Sequence, residues 1–175
     1  PLFGSFFCNS DTLFLKETRD DRERCYASIS GEEAERLGKA DQCRVSPDGS
    51  IAFLEDLDDG ETTLSTVGMD GEDETVVLDG VDDVVSTRFS SDASHVAYLE
   101  ETGDGQQLHL IERVSLAETE ASAELFGILS YGFVPGADML FYIAENDEGL
   151  LELYASDSAT PIAEGVTLSA TADPE

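Results

Sequence analysis

The sequence predicts an all-β protein of propeller type, with about four blades of four antiparallel strands each. Three observations predict it: a segment that recurs at a fixed period, second strands that are apolar on both faces, and connectors rich in Asp, Gly and Pro. The 175 residues, 41% of them hydrophobic, suffice for one domain with a real core and are too few for several independent ones.

The recurring segment is an apolar residue, a small polar turn and a short apolar run. It reads Phe7-Cys8-Asn9-Ser10-Asp11-Thr12-Leu13-Phe14-Leu15 and then Val45-Ser46-Pro47-Asp48-Gly49-Ser50-Ile51-Ala52-Phe53-Leu54. It returns at Phe89-Ser90-Ser91-Asp92-Ala93-Ser94-His95-Val96-Ala97-Tyr98-Leu99 and at Phe133-Val134-Pro135-Gly136-Ala137-Asp138-Met139-Leu140-Phe141-Tyr142-Ile143. The steps Val45 to Phe89 and Phe89 to Phe133 are both 44 residues, and Phe7 to Val45 is 38. A period held twice marks a repeat architecture. Blades are expected near 1–42, 43–84, 85–128 and 129–169 of a single domain over 1–175, with 170–175 a tail or the start of a further blade.

In the first unit the apolar pairs Leu2-Phe3 and Phe6-Phe7 read as the first strand and Leu13–Leu15 as the second. Lys16–Arg24 is expected to project as a loop before a third strand that carries Cys25, and Glu32–Leu37, the one segment with helical propensity, is assigned to a turn. The second unit divides into strands Gln42–Ser46, Ile51–Asp56, Thr62–Val67 and Thr75–Leu78, joined by Pro47-Asp48-Gly49, Asp58-Asp59-Gly60 and Asp70-Gly71-Glu72, residues that favour tight turns. The third gives Val85–Ser90, Val96–Glu100, Gln107–Val114 and Ala123–Phe126; the fourth gives Ser130–Val134, Leu140–Ala144, Leu150–Ala155 and Thr160–Ala163. The runs Ile51–Leu54, Val96–Leu99 and Leu140–Ile143 are apolar at every position, so both faces must be covered, as when one sheet lies between two neighbours. Four-stranded units of this length stacked face to face are propeller blades.

Ser46-Pro47-Asp48-Gly49-Ser50-Ile51-Ala52-Phe53 resembles the signature of TolB-type β-propeller repeats, Ser-Pro-Asp-Gly, a linker residue, then Ile-Ala-Phe. The other units are degenerate copies: Ser91-Asp92 keeps part of the turn, Pro135-Gly136 another part, and Asn9-Ser10-Asp11 its polarity. The recurrent Asp-Gly between third and fourth strands is matched at Asp70-Gly71 only. The resemblance implies a propeller fold, hosted by binding proteins, translocation accessories and non-catalytic domains of enzymes alike, and it implies no one activity. Propellers of that type usually have six or more blades. The chain is therefore expected either to close as a four-bladed ring or to form part of a larger propeller, which the start at Pro1 rather than Met favours.

Acids outnumber bases 39 to 9, a formal charge of -30, so nucleic acid and anionic membranes are unsuitable partners, and no apolar run is long enough for membrane insertion. Residues 1–42 hold nine acids and six bases; the remaining 133 hold 30 acids against Arg44, Arg88 and Arg113. The near-balanced first quarter, with Arg19, Arg22 and Arg24, is the expected docking side toward other protein chains or another copy of this one. The composition resembles that of proteins tuned to high salt or divalent cations.

The three cysteines, Cys8, Cys25 and Cys43, cluster in the same quarter, and no Cys/His spacing suggests zinc. One disulfide with one free thiol, or three thiols, are the options. A pair involving Cys25 would close a loop of about 17 residues, worth roughly 3 kcal/mol. No cofactor is expected, and Asp56, Asp58 and Asp59 are the weak candidates for a Ca2+ loop; Gly60 falls one place early and Val67 stands where the EF-hand needs Glu. No catalytic residues are assigned: His109, between Leu108 and Leu110, reads as a surface or half-buried strand residue, and no nucleophile elbow accompanies it or His95. The sequence therefore favours a non-catalytic interaction or scaffold module of an extracytoplasmic assembly, periplasmic, at the cell surface or secreted. The alternatives are the propeller domain of a hydrolase, either a glycosidase or the gating domain of a peptidase, and a structural subunit of a surface filament or layer.

Overall fold

The computed structural model describes residues 3–8, 12–19, 22–123, 125, 127–136, 139–146, 148–156, 158 and 160–167; the side chains of 3–8 and 19 lie outside that set. The described residues are all strand, turn and loop, with no helix. Four antiparallel sheets follow one another along the chain, each with its strands in sequence order. The first holds β1 (Phe3–Cys8), β2 (Thr12–Arg19), β3 (Arg22–Ile29) and β4 (Glu35–Ala40); the second β5 (Gln42–Val45), β6 (Ile51–Asp58), β7 (Glu61–Gly68) and β8 (Thr75–Asp82). The third holds β9 (Val84–Phe89), β10 (His95–Glu101), β11 (Gln106–Glu112) and β12 (Ala117–Glu120); the fourth β13 (Ile128–Phe133), β14 (Leu140–Glu145), β15 (Leu151–Ala155) and the two-residue β16 (Ala163–Glu164). This is the propeller-like, four-by-four arrangement that the repeat predicts.

The repeated turn has a specific chemistry. In the second sheet Asp48 Oδ1 accepts hydrogen bonds from the Ser46 hydroxyl (2.6 Å) and the Ser50 N–H (3.1 Å), while Ser46 Oγ accepts from the N–H groups of Ser50 and Ile51. Ser90, Asp92 and Ser94 repeat it in the third sheet. Gly49 takes φ +74° in the first of these turns, and Ala93 holds the same left-handed position at +57° in the second.

Alternation along the second strands stacks the sheets. Ala52 and Leu54 of β6 pack with Phe14, Cys25 and Ala27 of the first sheet, while Phe53, one residue out of phase, packs with Val96 and Tyr98 of β10. Ala97 and Leu99 of β10 in turn meet Leu140, Tyr142 and Ala144 of β14. Three apolar seams thus join four sheets in series. Burying a side chain of Phe53's size contributes roughly 1.5–3 kcal/mol, and such residues carry the stack. A covalent link adds to the first seam, where Cys25 of β3 is disulfide-bonded to Cys43 of β5, 18 residues on.

Several expectations need correction. Lys16–Arg24 is not a projecting loop: Lys16–Arg19 end β2 and Arg22–Arg24 begin β3, paired from Lys16↔Cys25 to Arg19↔Arg22, so its alternating charges lie along a hairpin. Glu35–Leu37 belong to strand β4 rather than to a turn. The fourth strand of the third sheet is Ala117–Glu120, not 123–126, because Ala121 and Ser122 both turn their N–H groups onto the Leu108 carbonyl. That bulge ends regular pairing, and Leu125 rejoins only as a bridge to Gln106. The second strand of the fourth sheet is covered on one face alone: Phe141 and Ile143 point away from the third sheet and stay partly exposed beside Leu153 and Gly132.

Candidate functional site

The first strands of the third and fourth sheets, β9 and β13, lie against each other, and polar side chains there and at the preceding seam bridge one sheet to the next. Arg44 on β5 shares a face with Phe53 and Glu55. Its guanidinium bonds the Glu55 carboxylate and the Thr87 hydroxyl closely, donates to the Thr87 carbonyl at 3.3 Å, and lies 4.9 Å from the centroid of the Phe89 ring. Glu55 is 8% exposed and Thr87 1%, so the carboxylate is largely withdrawn from water and is answered by the partly exposed Arg44 within the fold.

One sheet on, Arg88 of β9 lies over the ring of Tyr131 on β13, with 5.7 Å from Cζ to the centroid. The Tyr131 hydroxyl donates to the Ser86 carbonyl at 2.7 Å and lies 2.9 Å from the Ser86 hydroxyl. Burial pushes the Tyr131 phenol up, against the Ser86 hydrogen bond and the Arg88 and Arg44 charges that favour its ionised form. Among the described residues the exposed Arg88 makes one hydrogen bond, to the Thr87 carbonyl at 3.2 Å.

A second polar group sits between the second and third sheets. His109 is 9% exposed, more buried than the surface or half-buried position expected, because cross-strand pairing sets it beside Tyr98, whose ring stacks on it at 4.5 Å. Its Nδ1 lies 3.0 Å from Glu118 Oε1, and its Nε2 lies 3.0 Å from Glu100 Oε2 without hydrogen-bond alignment. Tyr98 donates to the same Glu118 oxygen at 2.5 Å, and burial first, then Glu118, pushes its phenol up. With a carboxylate against each nitrogen, the imidazole is held as a linker of β10, β11 and β12.

The residues singled out in the sequence are dispersed. Asp56 forms a close ion pair with Arg22, which also faces Asp41 at 3.4 Å; Asp58 ends β6 and Asp59 occupies its turn at φ +51°. Among the described residues no group of three or more His, Cys, Asp or Glu is arranged to hold a metal ion. Cys25 and Cys43 form the disulfide, while the Cys8 and Arg19 side chains lie outside the described residues. Arg24 is paired across the strands with Glu17, on the face of the first sheet turned away from the second. The inner-edge arginines were not singled out by sequence, although one signal was there: Arg44 and Arg88, two of the three bases after residue 42, are 44 residues apart, one period.

With this geometry the chain can be compared with known proteins. No family model matches it, and no curated protein is matched by sequence. Solved structures do match. The β-propeller domain of the Trilobed protease from Pyrococcus furiosus, described as having an open velcro topology, aligns with 94% of this chain at TM-score 0.62 and 9% identity. TolB from Acinetobacter baumannii aligns with 84% at TM-score 0.54 and 14% identity, and the tricorn protease with 78% at 0.60 and 15%. The likeness is one of fold. The chain has a TolB-like propeller fold, and it spans 57%, 38% and 14% of those three chains respectively. No helix among the described residues is long and apolar enough to cross a membrane.

Proposed function

We propose that the chain is a non-catalytic interaction module of an assembly outside the cytoplasm, and that the outer face of its fourth sheet receives the outer face of the first sheet of a second copy. The observation that carries this is the partly exposed apolar face of Phe141, Ile143, Leu151 and Leu153. Every internal seam packs the forward face of one sheet on the backward face of the next, and the first sheet offers a backward face of Leu13, Leu15 and Tyr26, partnered by register as Leu15↔Tyr26. Arg24 on that face and Glu145 on the other supply opposite charge, and the first quarter is where six of the nine bases lie. Two copies joined at both ends make eight blades, within the range of closed propellers. The disulfide supports the extracytoplasmic location, because thiols stay reduced in most cytosols.

Native mass spectrometry and light scattering across a concentration series test it. The dimer is expected in the parent chain and lost in Phe141→Ser/Ile143→Ser with the far-UV signal unchanged; a monomer throughout, or assembly indifferent to both substitutions, refutes it. A hydrolase-associated propeller is the second reading, favoured by the fold likeness to domains of two proteases. A hydrolase domain encoded in the same gene would establish it.

A further inference from the structure

We propose that Arg88, with the Tyr131 ring beneath it, is a binding site for a carboxylate ligand at the inner edge of the seam between the third and fourth sheets. The inference comes from comparing two repeat-equivalent junctions. One period of 44 residues carries Arg44 to Arg88, Thr87 to Tyr131 and Glu55 to Leu99. At the first junction the guanidinium is answered by Glu55 from the same sheet face. At the second, that carboxylate is replaced by Leu99, buried in the apolar seam at 4% exposure, and the arginine has no ion-pair partner among the described residues.

Such a cation is unexpected in this protein. Thirty acids against three bases after residue 42 make it easy to place a carboxylate on any surface arginine, yet the repeat places a leucine there. The guanidinium offers five donors, and among the described residues one is engaged, by the Thr87 carbonyl. Tyr131 covers one plane of it and is itself fixed by the two Ser86 contacts, so the platform is pre-set. The free edge has the fork geometry that a carboxylate fits with two parallel hydrogen bonds. A single negative charge is favoured over a dianion, since the net charge of -30 repels a phosphate dianion about twice as strongly. The ligand takes the place of the missing Glu55 equivalent.

The experiment follows the Arg88 Nε–H and Tyr131 ring signals by NMR while sodium acetate replaces NaCl at constant ionic strength. A saturating shift at both, absent at Arg44, is expected. Arg88→Gln, at an exposed position that leaves the seams intact, should weaken acetate binding at least tenfold, the scale of a charge-assisted pair. Leu99→Glu, which restores the carboxylate of the preceding repeat, should abolish acetate binding while pairing with Arg88. Shifts no larger than those from chloride, binding retained in Arg88→Gln, or phosphate binding tighter than acetate would each overturn the assignment.

Discussion

Phe53 and Phe141 occupy the same place in the repeat, two periods apart, and should respond oppositely to truncation. Phe53 is 1% exposed, belongs to the seam between the second and third sheets, and stacks on Phe89 with ring centroids 3.5 Å apart. Phe53→Ala removes the transfer free energy of the ring, leaves a cavity between two sheets and ends an aromatic pair, which together cost about 3–5 kcal/mol. For a chain of this length that lowers Tm by roughly 6–20 °C. Phe141 projects from the outer face of the fourth sheet and is partly exposed, so Phe141→Ala should cost about 1 kcal/mol or less in the monomer. Thermal and denaturant unfolding followed by circular dichroism, in dilute oxidised protein at fixed NaCl, measures both. Equal losses would mean that something in the same chain packs on Phe141, and the series of three seams would be wrong.

The same contacts lead to other outcomes. The denatured, unreduced protein should titrate one free thiol, and Cys25→Ser/Cys43→Ser should lose about 3 kcal/mol, the loop-closure value for the 18-residue separation. Hydrogen bonds from Ser94, then Ser90, hold the Asp92 carboxyl down at about 2 against an ordinary 3.8. The stability it contributes is therefore present above pH 3.8 and lost as pH falls through about 2, and Asp92→Asn should flatten the acid limb of a Tm–pH profile. Tyr154, raised to about 12 by its hydrogen bond to Glu152 and by burial, contributes stability below pH 10 that disappears as pH rises through about 12; Tyr154→Phe should remove that loss. Tm should climb with NaCl, because the net charge of -30 repels itself over about 10–30 Å at low ionic strength; a flat response would show that self-repulsion does not limit stability.

The period was legible in the sequence, and so were its direct consequences. Ser46–Phe53 marks a turn and a strand, and doubly apolar runs such as Ile51–Leu54 require covering sheets, as β6 and β10 confirm. Local composition misled where pairing decided the outcome. The charges of Lys16–Arg24 read as loop, yet Glu17 faces Arg24 across the hairpin, Lys16 reaches Glu23 diagonally at 2.9 Å, and Arg22 pairs with Asp41 and Asp56 beyond it. His109 looked peripheral because alternation with Leu108 and Leu110 shows only that it faces the other way; that the other face is a seam, with Tyr98 and two glutamates against it, depends on a neighbouring sheet. The role of Arg44 and Arg88 is hidden in the sequence for a similar reason. Equivalence between Arg44 and Arg88 can be counted from the period, but the substitution of Leu99 for Glu55 gains meaning only when both junctions exist in space.

Hydroxyl-radical footprinting of the dilute monomer, read by mass spectrometry, measures most directly whether four sheets stack in series and leave the last face open. Phe141, Ile143 and Leu153 should be labelled readily, while Phe53, Val96 and Leu108 remain protected, and the first three should become protected as concentration rises and copies associate. Equal protection of Phe141 and Phe53 in the monomer would contradict both the open face and the interaction built on it.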